Sequence, residues 1–281
     1  MKHLTRLICL LAVLLCALPA LAEDEEIYFS DFVGVDVVTY NSIPWNFPVD
    51  FMDMDPALIR LVNKQMFLPS DFTPDDLVDV KSLRQNDDGE NINGGLRYVD
   101  GPWKLQRECL TALVALCDAA RAEGHELYLK SGYRSYYKQA VMYENRLAKN
   151  GYDDGWVTKP GASDHQTGLG CDVVPRKWTD RGMNEDMADE PETQWMAENC
   201  ARFGFILRYP ADKEDVTQIN YEPWHLRYVG VPVATYIMEN GLTLEEFHEE
   251  LAVAIEEFIA AGGPASLVED FIQESAPDRY K

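Results

Sequence analysis

Two histidines and one aspartate stand where their side chains could hold a metal ion. Asp172 interrupts an apolar segment that is typical of a buried strand, and His165 lies in the polar loop before that segment. A buried carboxylate needs a cation, a metal or several hydrogen-bond donors. His225 lies in a second polar and aromatic segment farther along the chain. Two imidazoles and one carboxylate with an open fourth position form the ligand set of catalytic zinc sites, so these three residues are candidate metal ligands.

Two neighbouring residues support chemistry at such a site. Glu222 lies shortly before His225 and is followed by the rigid Pro223, which would bring its carboxylate close to the open coordination position. A carboxylate there can take a proton from the attacking water. Gly170 shares the strand face of Asp172. Because glycine removes side-chain bulk from that face, we expect it to leave room for an approaching ligand.

A strand end followed by a helix start forms a second candidate site. The segment 131–135 reads Ser-Gly-Tyr-Arg-Ser, with Arg134 next to the residue that can cap the helix. A guanidinium at a helix N-terminus is a natural site for a carboxylate. Gln139 lies one turn into the helix and can add a hydrogen-bond donor. A capping Ser135 beside a surface arginine explains the same residues equally well.

Capping residues and glycines divide the chain into helices that come first and strands that cluster later. This order and the hairpin-like spacing of the strands predict an α+β fold with a mainly antiparallel sheet. Thr243 and Glu246 form a capping box for a long helix near the C-terminus. The predicted helices are 102–123, 135–150, 192–203, 232–240 and 243–261, and the predicted strands are 127–131, 169–174, 205–209 and 221–229.

Composition limits the classes of function. The 281 residues carry a formal net charge of −23, and the sequence pI is about 4.5. Nucleic-acid binding needs clustered Lys and Arg, and docking on anionic lipid needs a basic surface, so neither partner is expected. The 46% of hydrophobic residues suffices for a substantial core. We interpret the acidic residues of the C-terminal helix as a solvated face and His248 as a surface residue; these acidic residues include Glu245, Glu246, Glu249 and Glu250.

The N-terminus has the features of a secretory signal peptide. Lys2 and Arg6 precede the apolar run 7–18, which ends in the small-residue motif 20–22. The run is shorter than the ~20 residues that a membrane-spanning helix needs. We therefore expect cleavage after Ala22, release of the mature chain outside the cytoplasm and no transmembrane segment after cleavage.

Four cysteines remain after this cleavage, and their oxidation state is open from the sequence. An exported chain meets oxidising conditions, in which one or two disulfides can form. Four buried free thiols that pack as small apolar residues are the alternative. The cysteines concerned are Cys109, Cys117, Cys171 and Cys200.

Three motifs in the same order carry a family resemblance. They are Ser-Gly-Tyr-Arg-Ser at 131–135, Ser-x-His-x-x-Gly-x-x-x-Asp at 163–172 and Glu-Pro-Trp-His at 222–225. Together they resemble the VanY-like zinc D-alanyl-D-alanine carboxypeptidases over about residues 60–248. The resemblance implies an antiparallel sheet packed against helices with the zinc site on the sheet, as in the hedgehog and DD-peptidase folds. The resemblance thus predicts the catalytic domain at 60–248. Together with the signal peptide at 1–22, it leaves an N-terminal extension at 23–59 and a helical extension at 249–281.

The resemblance also implies roles for single residues. One zinc ion is bound by His165, Asp172 and His225, and Glu222 is the general base. Arg134 binds the terminal carboxylate of the substrate or stabilises developing charge. Gln139 and Ser163 support that contact.

The function expected from these roles is removal of the C-terminal D-alanine from peptidoglycan stem peptides by a secreted, monomeric enzyme. Cleavage of a D-Ala-D-Ala end and cleavage after an L-centre are both open. A non-catalytic module that binds cell-wall peptides is one alternative. A zinc endopeptidase that acts inside wall cross-links is another.

Overall fold

A four-stranded antiparallel sheet carries the three sequence motifs. The computed structural model describes residues 38–81 and 95–272. The predicted signal peptide at 1–22 lies outside these residues, as does the end of the C-terminal extension. The predicted divisions at 59/60 and 248/249 remain predictions.

The strands within the described residues form two small two-stranded sheets and one larger sheet. The two-stranded sheets pair β1 with β2 and β3 with β4, and the larger sheet has the order β5-β6-β8-β7 with every pair antiparallel. The mainly antiparallel character that the sequence predicts is therefore confirmed. The strands are β1 Thr39–Tyr40, β2 Ile43–Pro44, β3 Leu77–Asp79, β4 Lys104–Gln106, β5 Leu127–Ser131, β6 Gly170–Pro175, β7 Phe205–Leu207 and β8 His225–Tyr228.

Six α-helices lie within the described residues, and the first of them packs on the apolar face of the larger sheet. They are α1 Arg107–Ala122, α2 Tyr136–Asn150, α3 Pro191–Asn199, α4 Glu214–Thr217, α5 Val231–Glu239 and α6 Leu244–Ala260. The ends of α2 match the sequence signals: the Ser135 side chain accepts from the Lys138 N–H, and Gly151 closes the helix at φ 82°. Among the described residues, no helix is both long and apolar enough to cross a membrane.

The start of α1 differs from the prediction. Residues 104–106 form β4, which pairs with Leu77–Asp79, and the helix begins only at Arg107. Leu105 is fully buried in that strand and not on the helix. The pairing with a segment far back in the chain determines the local structure here, and helical periodicity cannot reveal it.

Two apolar clusters support the sheet. Helix α1 packs its apolar side on the sheet face that carries Cys171, Val173 and Leu226. The second cluster joins the N-terminal segment around Trp45 to α5 and α6. Side chains alternate along a strand, so the opposite face of β6 and β8 is left for Asp172 and His225.

Two expectations for helix α6 are wrong. His248 is buried at 3% exposure, and its Nε2 lies 2.6 Å from the Ile59 carbonyl oxygen. Glu245 is also buried, at 6% exposure, and pairs with Arg208. Glu249 and Glu250 are exposed, as predicted. The two buried polar residues have partners that are distant in the sequence, so helix composition alone placed them on the surface.

All four cysteines of the predicted mature chain are free and buried. They lie in the cluster beneath α1, each at 1% exposure or less. The structure therefore corresponds to the thiol alternative.

Candidate metal centre and active-site cavity

Strand register brings two of the candidate ligands side by side. Asp172 on β6 pairs with His225 on β8 on one side and with Ser131 on β5 on the other. Directly opposed residues in an antiparallel ladder have neighbouring side chains on the same face. The three motifs, which are far apart in the sequence, therefore meet on adjacent strands.

His165 reaches the same point from a short turn above the sheet. It lies in the 3-10 turn Asp164–Thr167, which ends at Gly168 with a φ of 72°. The Thr167 hydroxyl donates to the Asp164 carbonyl over 2.6 Å and closes the turn. Gly170 lies directly beneath: a Cβ there would lie 3.0 Å from the Asp164 Cβ. Gly170 thus makes room for the turn that carries His165, and not for a ligand as the sequence suggested.

The three candidate ligands converge within one buried cluster. Donor atoms of His165, Asp172 and His225 all lie within 4.8 Å of one another, and each residue is buried. His165 Nε2 lies 3.4 Å from Asp172 Oδ2, and His225 Nδ1 lies 3.0 Å from Asp172 Oδ1. The two imidazole rings are nearly perpendicular, with centroids 4.9 Å apart. The prediction that these three residues come together is met by the geometry.

The chemistry of the donor set fits a divalent cation. His165 Nδ1 lies 2.8 Å from the Gly132 carbonyl oxygen, so this nitrogen carries the proton and Nε2 presents a lone pair to Asp172. Burial, together with the charge of Arg134, lowers the pKa of His165 to about 4. A neutral nitrogen lone pair therefore faces a carboxylate oxygen in a buried site. The His225 nitrogen that faces the same cluster is Nδ1, which lies 3.0 Å from Asp172 Oδ1 and 3.5 Å from Glu222 Oε2. A cation bound among these atoms would satisfy the electron-rich groups.

Asp172 and His225 each stabilise the ionised form of the other. Burial alone would raise the pKa of Asp172, but the hydrogen bond and the charge of the His225 imidazole hold it well below the usual value. Burial likewise opposes protonation of His225, but the hydrogen bond and the charge of Asp172 raise its pKa above the usual value. Asp172 is therefore ionised at neutral pH, which is the state that a metal ligand requires.

Glu222 lies beside this cluster with its side chain buried. Its Oε2 is 3.5 Å from His225 Nδ1. Burial raises the pKa of Glu222 to about 8, and the charge of Asp172 acts in the same direction. A carboxylate with a raised pKa next to candidate metal ligands can accept and return a proton near neutral pH.

Arg134 is held in place by two side chains. Its Nη1 donates to Gln139 Oε1 over 2.9 Å and its Nη2 donates to Ser131 Oγ over 3.2 Å. Gln139 is 1% exposed, and its amide nitrogen donates to the carbonyl and the hydroxyl of Thr158. The amide of Gln139 is thus fully engaged. The structure supports a role for Gln139 in orienting Arg134 and leaves no free donor for a substrate.

One cavity of about 400 Å³ is lined by the three candidate ligands, Glu222, Arg134 and Gln139. Ser163 lines it, and its hydroxyl is not used to cap the following turn. Tyr209 is buried with its ring 5.0 Å from that of His225, and Trp156 stacks on Trp224 with centroids 6.2 Å apart. Sequence analysis missed Tyr209 and Trp156 as wall residues. Aromatic residues near a motif are more often packed in a core, so their type gave no sufficient signal.

Comparisons with known proteins agree with this geometry. Residues 102–231 match the sequence model of the family "VanY: D-alanyl-D-alanine carboxypeptidase". A Bacillus subtilis protein named "Putative carboxypeptidase YodJ" is 38% identical over 231 residues, which cover 81% of this chain and 76% of that protein. The chain belongs to the VanY family. An Enterococcus faecalis D-alanyl-D-alanine carboxypeptidase is 37% identical over 66% of this chain and 64% of its own length.

Solved structures of VanY-like enzymes have the same fold. An LD-carboxypeptidase, LdcB, superposes with a TM-score of 0.59 at 36% identity, over 76% of this chain and 93% of its own. A VanY D,D-pentapeptidase variant from a VanB-type resistance cassette, in complex with Zn(II), superposes with a TM-score of 0.52 at 31% identity, over 68% and 98%. The α+β fold class and the enzyme class predicted from the sequence, a metallopeptidase of the D-alanyl-D-alanine carboxypeptidase type, are confirmed.

Proposed function

We propose that this VanY-family protein is a zinc-dependent carboxypeptidase that removes the C-terminal D-alanine from peptidoglycan stem peptides outside the cytoplasm. One observation carries the proposal: a buried set of two histidines and one aspartate shares a cavity with a buried acid and an anchored arginine. The names of the relatives and the Zn(II) in the VanY structure support the reaction and the metal. The features of residues 1–22 support export.

In this proposal, His165, Asp172 and His225 hold the zinc ion. When bound, zinc supplies a Lewis acid that polarises the scissile carbonyl and makes a water molecule more acidic. The protein contributes a buried, preformed site: the sheet fixes Asp172 and His225, and the Gly132 carbonyl fixes the tautomer of His165.

Glu222 moves the proton. Its carboxylate takes a proton from the attacking water and delivers it to the amine of the departing alanine. A divalent cation close to Glu222 favours the ionised carboxylate, which offsets the burial that raises its pKa. Glu222 is therefore an ionised carboxylate again at the end of each turnover, ready for the next water molecule.

Arg134 selects the end of the peptide. A guanidinium binds a carboxylate through paired, charge-assisted hydrogen bonds. Gln139 and Ser131 hold one N–H of each terminal nitrogen of Arg134. The other N–H of each has no partner among residues 38–81 and 95–272 and can bind the substrate's C-terminus. Ser163, on the cavity wall, supports this contact. Recognition of a free carboxylate favours removal of one terminal residue over cleavage inside a cross-link.

Product masses test the proposal. The mature protein is incubated with tetrapeptide and pentapeptide stems, with zinc and with a chelator, and the products are weighed by mass spectrometry. Loss of one alanine only in the presence of zinc is expected. Shortening of the pentapeptide alone indicates D,D-specificity, and shortening of the tetrapeptide indicates L,D-specificity. Zinc binding without cleavage would instead establish the non-catalytic wall-binding module.

The endopeptidase alternative is tested with blocked ends. If Arg134 reads the free carboxylate, a C-terminally amidated pentapeptide is cleaved far more slowly than the free acid. Equal rates on both, or cleavage of a cross-linked dimer of stem peptides, would favour the endopeptidase.

A further inference from the structure

Four charged side chains lie buried beside the metal centre and take no part in the mechanism above. They are Asp164, Arg208, Arg227 and Glu245, with side-chain exposures of 0%, 0%, 0% and 8%. Two arginines balance two carboxylates, so the cluster is neutral as a whole. We refer to these four residues as the buried charge cluster.

Asp164 is the end of the cluster that faces the metal centre. It directly precedes His165 in the turn above the sheet. One carboxylate oxygen accepts from Arg208 Nε over 2.7 Å, and the other accepts from Arg227 Nη1. Because both oxygens are engaged by separate arginines, the orientation of this carboxylate is fixed. It therefore helps to fix the His165 backbone, together with the Arg134 N–H, which donates to the His165 carbonyl over 3.0 Å.

Both arginines are attached to the strand that carries the other histidine. Arg227 lies on β8 two positions after His225, which places the two side chains on the same face. The backbone N–H of Arg208 donates to the His225 carbonyl over 3.2 Å. The cluster therefore connects the turn of His165 to the strand of His225, which are the two segments that must keep a constant distance for a metal ion.

The far end of the cluster is Glu245 on helix α6. Its two oxygens accept from Arg208 Nη1 over 2.8 Å and from Nη2 over 2.6 Å, in a bidentate pair. Asn63 donates to the same carboxylate over 3.2 Å. Helix α6 lies outside residues 102–231, the part that matches the family model. A helix beyond the matched region thus supplies the counter-charge for an arginine at the metal centre.

Stability alone does not explain this arrangement. Burying four charges costs desolvation energy, and well-packed apolar residues often stabilise a fold equally well or better. A charge cluster also fixes how its side chains are oriented, because bidentate and paired hydrogen bonds require a specific geometry. His165 is the candidate ligand that the sheet ladder does not position, and the cluster is attached to its turn.

We propose that Glu245 is a positioning residue for the metal centre: through Arg208 and Asp164 it holds His165 at the distance from Asp172 and His225 that zinc requires. The proposal rests on the proposed function, since it assumes that these three residues bind zinc. It makes α6 a part of the catalytic scaffold and not an appended extension.

The test compares Glu245→Gln with a matched control on the same helix. Glu245→Gln keeps the shape of the side chain and removes its charge. The control, Glu249→Gln, makes the same change at an exposed position one turn later. Zinc affinity is measured by competition with a chromogenic chelator, and kcat and KM are measured on a stem peptide. The absorption spectrum of the cobalt-substituted protein reports the ligand geometry.

For Glu245→Gln we expect zinc affinity to fall by about tenfold, as for other residues that orient metal ligands. We also expect a lower kcat with little change in KM and an altered cobalt spectrum. Glu249→Gln should match the unaltered protein in all three. Glu245→Asp, which restores the charge, should recover part of the zinc affinity.

Two results would overturn the proposal. One is a Glu245→Gln protein whose zinc affinity, kcat and cobalt spectrum equal those of Glu249→Gln. The other is a protein with a lower melting temperature but unchanged metal properties when folded, which would show a structural role only. If Glu245→Gln does not fold, the same criteria apply to Glu245→Asp. Absence of zinc binding in the unaltered protein would refute the proposed function itself and is thereby distinguished from failure of this inference.

Discussion

Replacing Arg134 by methionine removes the proposed contact with the substrate's C-terminal carboxylate and retains most of the side-chain length. The guanidinium gives one N–H of each terminal nitrogen to Gln139 and Ser131. Each terminal nitrogen therefore keeps one further N–H for a carboxylate, which corresponds to a bidentate pair. Because Gln139 is itself held by Thr158, the variant should not alter the cavity elsewhere.

The size of the effect follows from these two hydrogen bonds. A hydrogen bond to a charged group contributes about 1.5–3 kcal/mol, so the pair contributes about 3–6 kcal/mol. Since about 1.4 kcal/mol corresponds to a factor of ten, kcat/KM on a free-acid peptide should fall by about 10²–10⁴. Amidation of the peptide removes the same interaction by replacing the substrate's C-terminal carboxylate, which is the partner of Arg134. The unaltered protein should therefore lose a comparable factor on the amide.

Four kcat/KM values form a cycle that isolates the contact. They are measured for both proteins on a free-acid peptide and on its C-terminal amide. In Arg134→Met the preference for the free acid should nearly vanish, because the variant has no guanidinium to bind the C-terminus of either substrate. Arg146→Met is the matched control: Arg146 lines the same cavity but pairs with Asp154, so the preference should persist. An undiminished preference in Arg134→Met would refute the assignment.

Three further outcomes are expected. Glu222→Gln should bind zinc like the unaltered protein but turn over about 10²-fold or more slowly, as is usual for loss of a general base; full activity would contradict its role. Gly170→Ala should lower the free energy of unfolding in urea by about 1–3 kcal/mol through overpacking, because the added Cβ would meet Asp164 at 3.0 Å, whereas Gly182→Ala meets nothing within 4 Å and should be neutral. The four cysteines should react with a thiol reagent only in denaturant, because they are buried and burial raises the pKa of Cys117 to about 12; rapid labelling of the native protein would contradict the structure.

The sequence predicted elements well where the signal was local. Ser135 and Gly151 delimit α2, and the Thr243–Glu246 capping box starts α6, because both motifs act on the backbone next to them. Strand β4 was missed, since its pairing partner Leu77–Asp79 lies far back in the chain. A strand that depends on a remote partner leaves little trace in its own periodicity.

At the candidate site, too, local signals were visible in the sequence and contacts between remote segments were not. Asp172 was recognisable because a carboxylate interrupted an apolar strand, and the two histidines stood in unusual polar surroundings. The register that places Asp172 between Ser131 and His225 was not readable from any one segment. The burial of Glu245 was likewise hidden, because its partner Arg208 is a product of the tertiary fold.

The three candidate ligands differ in how the fold positions them. Asp172 and His225 are opposed on neighbouring strands, so the backbone hydrogen bonds of the sheet fix their separation. His165 lies in a turn, where no ladder operates, and turns have more conformational freedom than sheets. The buried charge cluster is attached to that turn through Asp164. The Arg134 N–H also donates to the His165 carbonyl over 3.0 Å, but this single backbone hydrogen bond does not fix the turn as a strand ladder would. The paired charges thus lie at the one candidate ligand that the sheet ladder does not position, which explains why their desolvation cost is incurred at this place in the fold.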